Sequence, residues 1–522
     1  MELREIESFK RYEHKRYAFD RIKTYINDKT SEDILVIYGL RRTGKTVLME
    51  QILQDYPFKD KCVFYEVSEN DNMSDVINCV INAKNKGINI ICIDEITKAK
   101  DFPNSIALLS DVYVKNGMKI LLTGTDSLGF YFAGNEELFD RNQTIDTTYI
   151  SFAEHCCVLN TNDMDNYIKY GGLMSRGKDR VKDYKSACKY LDSAVASNIA
   201  NSIAKCPYYE NLNSFSKKDI TIIIERMVEL YSGIWNKEKL QNELSTATVN
   251  YPISKLNGLV DADIIDSIVM KKNEITKDFV RRINASGKLS TNLTIEAVND
   301  FEKILRDMQV LSIIKERPFT RINNSWISEQ ERLEYYIVQP AIKFYHLKEA
   351  LKFIENESYY SILSEQNRNI MKDKLEEKIL GDMTEQIVLF DTMNVLDNTK
   401  YEVYKPVFYD GHNKIGEYDM LIWDKSINSY WGFEIKHTTE PYLDQNKHLI
   451  NEDFKKAIDY QFGNRENVCV LYRGDTDDDL SNNLYVNITD FLSLLNKYKD
   501  LNLVFDNISQ TLSNNYSKKQ CR

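Results

Sequence analysis

The segment Gly39-Leu40-Arg41-Arg42-Thr43-Gly44-Lys45-Thr46 limits the possible folds more than any other stretch. It reads G-x-x-x-x-G-K-T, and it lies between an apolar run at 34–38 and a helix-forming run at 47–53. A strand, a glycine loop and a helix in that order make a phosphate-binding turn. The glycines let successive backbone N–H groups point inward, and the helix N-terminus adds partial positive charge. Lys45 then reaches the β- and γ-phosphates of a nucleotide such as ATP, and the Thr46 hydroxyl can ligate Mg²⁺. All eight residues, Gly39, Leu40, Arg41, Arg42, Thr43, Gly44, Lys45 and Thr46, are therefore candidate nucleotide contacts.

A second run, Ile88-Asn89-Ile90-Ile91-Cys92-Ile93-Asp94-Glu95, has the near-continuous apolar character of a buried parallel strand. Ending in Asp-Glu some fifty residues after the glycine loop, it looks like a Walker B element. Asp94 is the candidate for the Mg²⁺ sphere and Glu95 for orienting the attacking water. A third run, 119–123, ends in Thr123, with Thr125 and Asp126 just beyond. Any of these three polar residues can sense a γ-phosphate or simply form a turn. Strands expected at 34–38, 61–67, 88–93, 118–123 and about 143–150 alternate with helices. That order implies a parallel sheet with helices on both faces and a ligand crevice at the strands' carboxyl ends.

At 522 residues the chain has room for two to four domains. Nowhere is there an apolar run of 18 residues, which argues against a membrane span, and the charged Met1–Glu5 start lacks a signal peptide's apolar centre. Nine cysteines without any C-x-x-C, and six scattered histidines, argue for a reducing cytoplasm and against a disulfide framework or zinc site. The net charge of −11 divides into −4 for residues 1–150, +2 for 151–350 and −9 for 351–522. A strongly basic footprint for nucleic acid is thus missing. Residues 1–30 read as helical and charged, and 151–350 read as mainly helical, with room for a winged-helix module.

In the C-terminal third, a helix expected at about 371–393 carries Glu385, a strand at 416–422 carries Asp419, and the next strand carries Glu434 and Lys436. Residues i and i+2 of a strand share a face, so Glu434 and Lys436 point together and Asp419 can join them from the neighbouring strand. Glu385 can reach in from its helix. Three such carboxylates make a hard oxygen site suited to Mg²⁺ or Mn²⁺, and Lys436 can position water or offset charge at a phosphoryl centre.

The N-terminal part resembles the archaeal-type AAA/STAND-like P-loop ATPases of bacteria and archaea, through residues 38–46, Ile93-Asp94-Glu95 and Leu122-Thr123-Gly124-Thr125. In that family an arginine lies ten residues before a Ser-Phe, the spacing of Arg141 and Ser151-Phe152 here. The resemblance implies that Arg141 stabilises transition-state charge, within its own subunit or across a homo-oligomer interface; a structural ion pair is the other reading. Tyr170-Gly171-Gly172-Leu173-Met174 resembles the family's Gly-Gly turn, whereas Tyr149-Ile150 replaces its usual Pro-Leu.

The C-terminal order Glu385, Asp419, Glu434-x-Lys436 resembles the PD-(D/E)xK nuclease superfamily, with Tyr418 in place of the family's proline. Tyr460-Gln461 on a following helix then supports the site or touches substrate. The expected architecture is α/β: a P-loop NTPase parallel sheet (1–180), a helical, winged-helix-like middle (181–350) and an α/β restriction-endonuclease-like domain (351–522). It implies an ATPase whose nucleotide state controls a metal-dependent nuclease acting on DNA or RNA. Two alternatives are a nucleotide switch with a silent C-terminal module, and an ATP-dependent DNA-binding regulator.

Overall fold

A computed structural model of the chain describes residues 1–100, 102, 109, 117–124, 142–174, 180–203, 207–232, 272–323, 325–355, 364–411, 413–441, 443–480 and 483–520. Its N-terminal sheet follows the alternation expected from sequence. The strands are β1 (Glu2–Arg4), β2 (Ile34–Tyr38), β3 (Cys62–Glu66), β4 (Ile90–Asp94), β5 (Lys119–Thr123) and β6 (Asn142–Asp146). They are ordered β1-β3-β4-β5-β2-β6, and all pair parallel except β1. Strands β4 and β5 are buried along their whole length, which is why they read as unbroken apolar runs. Inserting β5 between β2 and β4 opens a crevice at their carboxyl ends. Residues 1–30, expected to be helical, instead supply the edge strand β1 before the helix Ala18–Asn27. The charged spacing hid a three-residue strand too short to show a period.

The second sheet has ten strands: β7 (Leu311–Ile322), β8 (Ser325–Ser328), β9 (Arg332–Ile337), β10 (Tyr401–Asp410), β11 (Asn413–Glu417), β12 (Met420–Asp424), β13 (Ser429–Ile435), β14 (Asn464–Tyr472), β15 (Asp477–Leu480) and β16 (Asn483–Asn487). Its strand order is β15-β16-β14-β13-β12-β10-β7-β8, with β11 on β10 and β9 on β7. The hairpin strands β7–β9 come from the middle region expected to be mainly helical. Since β7 pairs parallel with β10 over residues 405–410, the line drawn at 350 cuts through a continuous sheet. The winged-helix reading depends in part on residues 233–271, which lie outside the described residues.

One apolar core joins the two halves. Phe152, Tyr167 and Leu173 pack in the same cluster as Met383, Val388, Phe491 and Leu495. The long helix Glu365–Val395 and the helix Ile488–Tyr498 thus rest on helices Phe152–Leu159 and Met164–Tyr170. Asp391, fully buried, accepts from Tyr149 Oη and from Phe152 N at 2.8 Å. None of the described helices is long and apolar enough to cross a membrane.

Candidate functional site

The glycine loop connects β2 to the helix Lys45–Asp55. Gly39 and Gly44 have φ of +141° and +90°, and a Cβ on Gly39 would stand 2.6 Å from Thr147 Oγ1. Only glycine fits that close approach. Lys45 Nζ folds back to donate to the carbonyls of Gly39 at 2.9 Å and Leu40 at 2.8 Å. Burial lowers its pKa to about 8, against the opposing pull of Glu95, Asp94 and Asp146. A phosphate in the loop would offer Lys45 a better acceptor than two neutral carbonyls.

The three sequence motifs converge. Thr46 Oγ1 donates to Asp94 Oδ2 at 2.8 Å, and Thr123 Oγ1 donates to Asp94 Oδ1. Glu95 N lies 3.3 Å from Thr123 Oγ1 and 3.1 Å from Asp94 Oδ1. Glu95 itself sits at φ +56°, a left-handed conformation costly for a non-glycine residue and typical of functional turns. Thr46 and Asp94 together fit a hydrated Mg²⁺, which commonly keeps several waters and takes few protein oxygens. Arg141, Thr125 and Asp126 lie outside the described residues.

Sequence reasoning missed the clamp around this loop. Arg16 is buried and donates to Thr43 O (2.5 Å), Thr147 O (2.9 Å), Tyr149 O (3.1 Å) and both carboxylate oxygens of Glu154 (3.0 and 2.9 Å). All five guanidinium donors serve to tie the loop to the segment after β6. Tyr190 Oη donates to Arg41 O at 2.9 Å, and Met174 N donates to Arg42 O at 2.8 Å. The Gly171-Gly172 turn therefore carries the chain directly onto the phosphate loop. No local pattern around Arg16 announces this role, because its nearest partner, Thr43, is 27 residues away and the others lie more than 130 residues on.

In the C-terminal sheet, the strand expected at 416–422 is interrupted. β11 and β12 both pair antiparallel with β10, and Tyr418 and Asp419 sit at the break between them. Pro406 on β10 supplies a carbonyl to Tyr418 N but has no N–H to donate, so the ladder lapses there. Asp419 turns toward the end of β13. Its Oδ2 accepts from Ile435 N at 2.7 Å and from Lys436 Nζ at 3.0 Å, and the same Nζ reaches Glu434 Oε2 at 2.6 Å. Asp419, Glu434 and Lys436 thus meet as their spacing implied.

Glu385 lies alongside but is held differently. Lys405 Nζ bridges Glu385 Oε1 at 2.5 Å and Glu417 Oε2 at 3.2 Å. Expecting Glu385 as a third oxygen beside Asp419 and Glu434 overlooked Lys405, which has no neighbouring motif. Among the described residues no group of three or more His, Cys, Asp or Glu side chains is arranged to hold a metal ion.

Four carboxylates here face three lysines, since Lys414 Nζ also reaches Glu417 Oε2 at 3.1 Å. Burial, then Asp419, pushes Glu434 up to about 7, and burial pushes Glu385 up to about 8 against the pull of Lys405. Burial would raise Asp419 too, but Lys436, Lys405 and the Ile435 N–H hold it below its ordinary value. Glu434 Oε1 is buried without a hydrogen bond, with His448 Nδ1 at 3.4 Å. The carboxylates outnumber the lysines by one, and Glu434 Oε1 meets only His448, at 3.4 Å; Mg²⁺ or Mn²⁺ needs only one or two carboxylates when water and phosphate complete its shell. Tyr460, expected near the site, is 92% exposed on the helix Glu452–Phe462 and makes no contact with these groups among the described hydrogen bonds.

Comparison with known proteins agrees with the N-terminal reading. Residues 31–156 match the AAA domain family. That match, with the phosphate-loop geometry above, supports a nucleotide-binding P-loop AAA domain in the N-terminal region. No curated protein matches the chain. A solved structure, the S. cerevisiae Hsp104–ADP complex, aligns at 12% identity and a TM-score of 0.23 over 72% of this chain. It is covered over 48% of its own length, so the chain spans about half of that protein. A likeness this slight adds nothing to the fold assignment.

Proposed function

We propose that the chain hydrolyses ATP at the Gly39–Thr46 loop and that its nucleotide state governs a metal-dependent phosphodiesterase of the PD-(D/E)xK nuclease kind in the C-terminal region. The observation that carries the second half is Lys436 Nζ lying between the buried carboxylates of Asp419 and Glu434 at the end of one strand.

At the first site, the inward backbone N–H groups and Lys45 bind the phosphates, and Thr46 with Asp94 would hold Mg²⁺. Mg²⁺ there would supply neutralisation of the phosphate charge. Glu95 orients the attacking water, held at the strand end by the Thr123–Asp94 hydrogen bond. Thr123 is placed to report γ-phosphate loss, because a shift in its hydroxyl alters both Asp94 and Glu95.

At the second site, Asp419 and Glu434 would hold Mg²⁺ or Mn²⁺, whose chemistry is to polarise a phosphoryl oxygen and acidify water. Lys436 orients water and offsets charge developing on the phosphate. Glu385, tied to Lys405, keeps an adjacent lysine charged and facing the same cleft. DNA and RNA are both chemically suitable substrates. The test is to incubate the chain with DNA and RNA in Mn²⁺ or Mg²⁺, with and without ATP. Cleavage lost in Glu434→Gln supports the reading; intact ATP hydrolysis with no cleavage under any condition rejects its nuclease half.

A further inference from the structure

Between the two sites runs a polar bridge that neither proposed reaction uses. Asp165, on the helix Met164–Tyr170, receives Arg473 Nη1 at 3.1 Å and Nη2 at 3.3 Å. This two-pronged pairing fixes orientation as well as distance. Arg473 Nη1 also lies 2.8 Å from His437 Nε2, which in turn lies 2.9 Å from Asp165 Oδ1. The other ring nitrogen, His437 Nδ1, faces Thr384 Oγ1 at 2.7 Å. Thr384 Oγ1 donates to Leu380 O, so it accepts from Nδ1–H and leaves Nε2 to accept from Arg473 Nη1, which donates as well to Asp165 Oδ1 and offsets the close approach of those two acceptors. The ring is thereby oriented from both sides.

Both ends of the bridge adjoin functional groups. His437 follows Lys436 in the chain, and Thr384 precedes Glu385. On the ATPase side, the helix bearing Asp165 runs into Gly171-Gly172 and then Met174, whose N–H donates to Arg42 O in the phosphate loop. Gly172 has φ of +79°, and a Cβ there would stand 2.4 Å from Gln339 Oε1, so the turn has no slack. Tyr167 Oη donates to Ile150 O at 2.5 Å, anchoring the middle of the helix. A displacement of the phosphate loop on filling with nucleotide would therefore meet a short, packed helix with little room to absorb it.

We propose that Asp165 is a positioning residue for the C-terminal site: acting through Arg473 and His437, it carries the occupancy of the phosphate loop to Lys436 and Glu385. Only the last step, an effect on cleavage, rests on the nuclease reading. The transmission itself is a coupling between two places in one chain and is measurable without catalysis.

The experiment is amide hydrogen exchange on the full chain, free and saturated with the slowly hydrolysed analogue ATPγS, following peptides that span 380–388, 434–440 and 470–476. Binding is checked in parallel with a fluorescent ATP analogue. In the unmodified chain ATPγS should change exchange in these peptides by about fivefold or more, the scale of ordinary site coupling. Asp165→Asn should bind the analogue within about twofold of the unmodified chain yet lose that response. The charge-exchanged pair Asp165→Arg with Arg473→Asp should recover part of it, which shows that the pairing between the two positions, not either side chain alone, carries the response. The proposal is overturned if the response is absent in the unmodified chain, or persists undiminished in Asp165→Asn. Absence of cleavage in every variant would reject the nuclease reading alone and leave the exchange result standing.

Discussion

The phosphate loop and the carboxylate–lysine cluster are opposite solutions to holding charge. The first is built from backbone: glycine φ values, inward N–H groups and a helix N-terminus prepare a place for an anion, and Lys45 rests meanwhile on two loop carbonyls. The second is built from side chains on a helix and three strands, with Glu385, Glu417, Asp419 and Glu434 set against Lys405, Lys414 and Lys436. Under the proposed function it would take a cation. A backbone site is contiguous in sequence, whereas a side-chain site is assembled by the fold, and the two fail differently when a residue is changed.

The largest expected effect falls on the clamp that makes the backbone site rigid. Arg16→Ala leaves Glu154 buried without its cation, and breaking such a pair costs about 3–5 kcal/mol. The urea midpoint of the unfolding phase that reports the N-terminal sheet should drop sharply. An unchanged midpoint would show that the loop keeps its shape without help from distant side chains.

Next come the charges themselves. Lys45→Ala should lower ATP turnover by about 10²–10³-fold, the usual consequence of removing a preorganised charge stabiliser. Glu434→Gln should lower metal-dependent cleavage by a similar factor and leave ATP turnover within about twofold. Loss of both activities in Glu434→Gln would mean the two sites are not separable, as the comparison requires.

A smaller effect sits where the halves meet. Burial raises Asp391 to about 7, above its ordinary value, despite hydrogen bonds from Tyr149 and Phe152. The native state therefore retains a proton that the unfolded chain releases near pH 4, and stability falls as pH rises toward 7 and levels off above it. Between pH 5.5 and 7 this loss is about 2 kcal/mol, at about 1.4 kcal/mol per pH unit. Asp391→Asn should flatten that part of the melting-temperature profile. A profile identical to the parent's would place the carboxyl in a wetter, ionised state.

How much of this the sequence disclosed follows the same division. The phosphate loop, Asp94-Glu95 and Thr123 were legible because each motif is local and ends an apolar strand. Asp419, Glu434 and Lys436 were legible from strand periodicity, although the break at Tyr418-Asp419 was hidden in a run of residues that reads as one strand. Lys405 and Arg16 were not legible at all, since a lone cation in an alternating or irregular segment looks like a solvated one until its partners are known. Strands β7–β9 were missed because the preceding helix Ile295–Asp307 has strong apolar periodicity that dominates its surroundings. The Asp165–Arg473–His437 bridge spans 308 residues of chain and leaves no trace in any window.

The central claim is that one chain carries two separable catalytic sites linked by nucleotide state. The most direct test follows ATP hydrolysis and nucleic-acid cleavage together in the purified chain, Lys45→Ala and Glu434→Gln, with Mn²⁺ or Mg²⁺ and with ATP present or absent. The account predicts that Lys45→Ala loses ATP turnover and the ATP dependence of cleavage, while Glu434→Gln loses cleavage alone. ATP turnover without cleavage in the unmodified chain, or cleavage indifferent to both Lys45 and ATP, would contradict it.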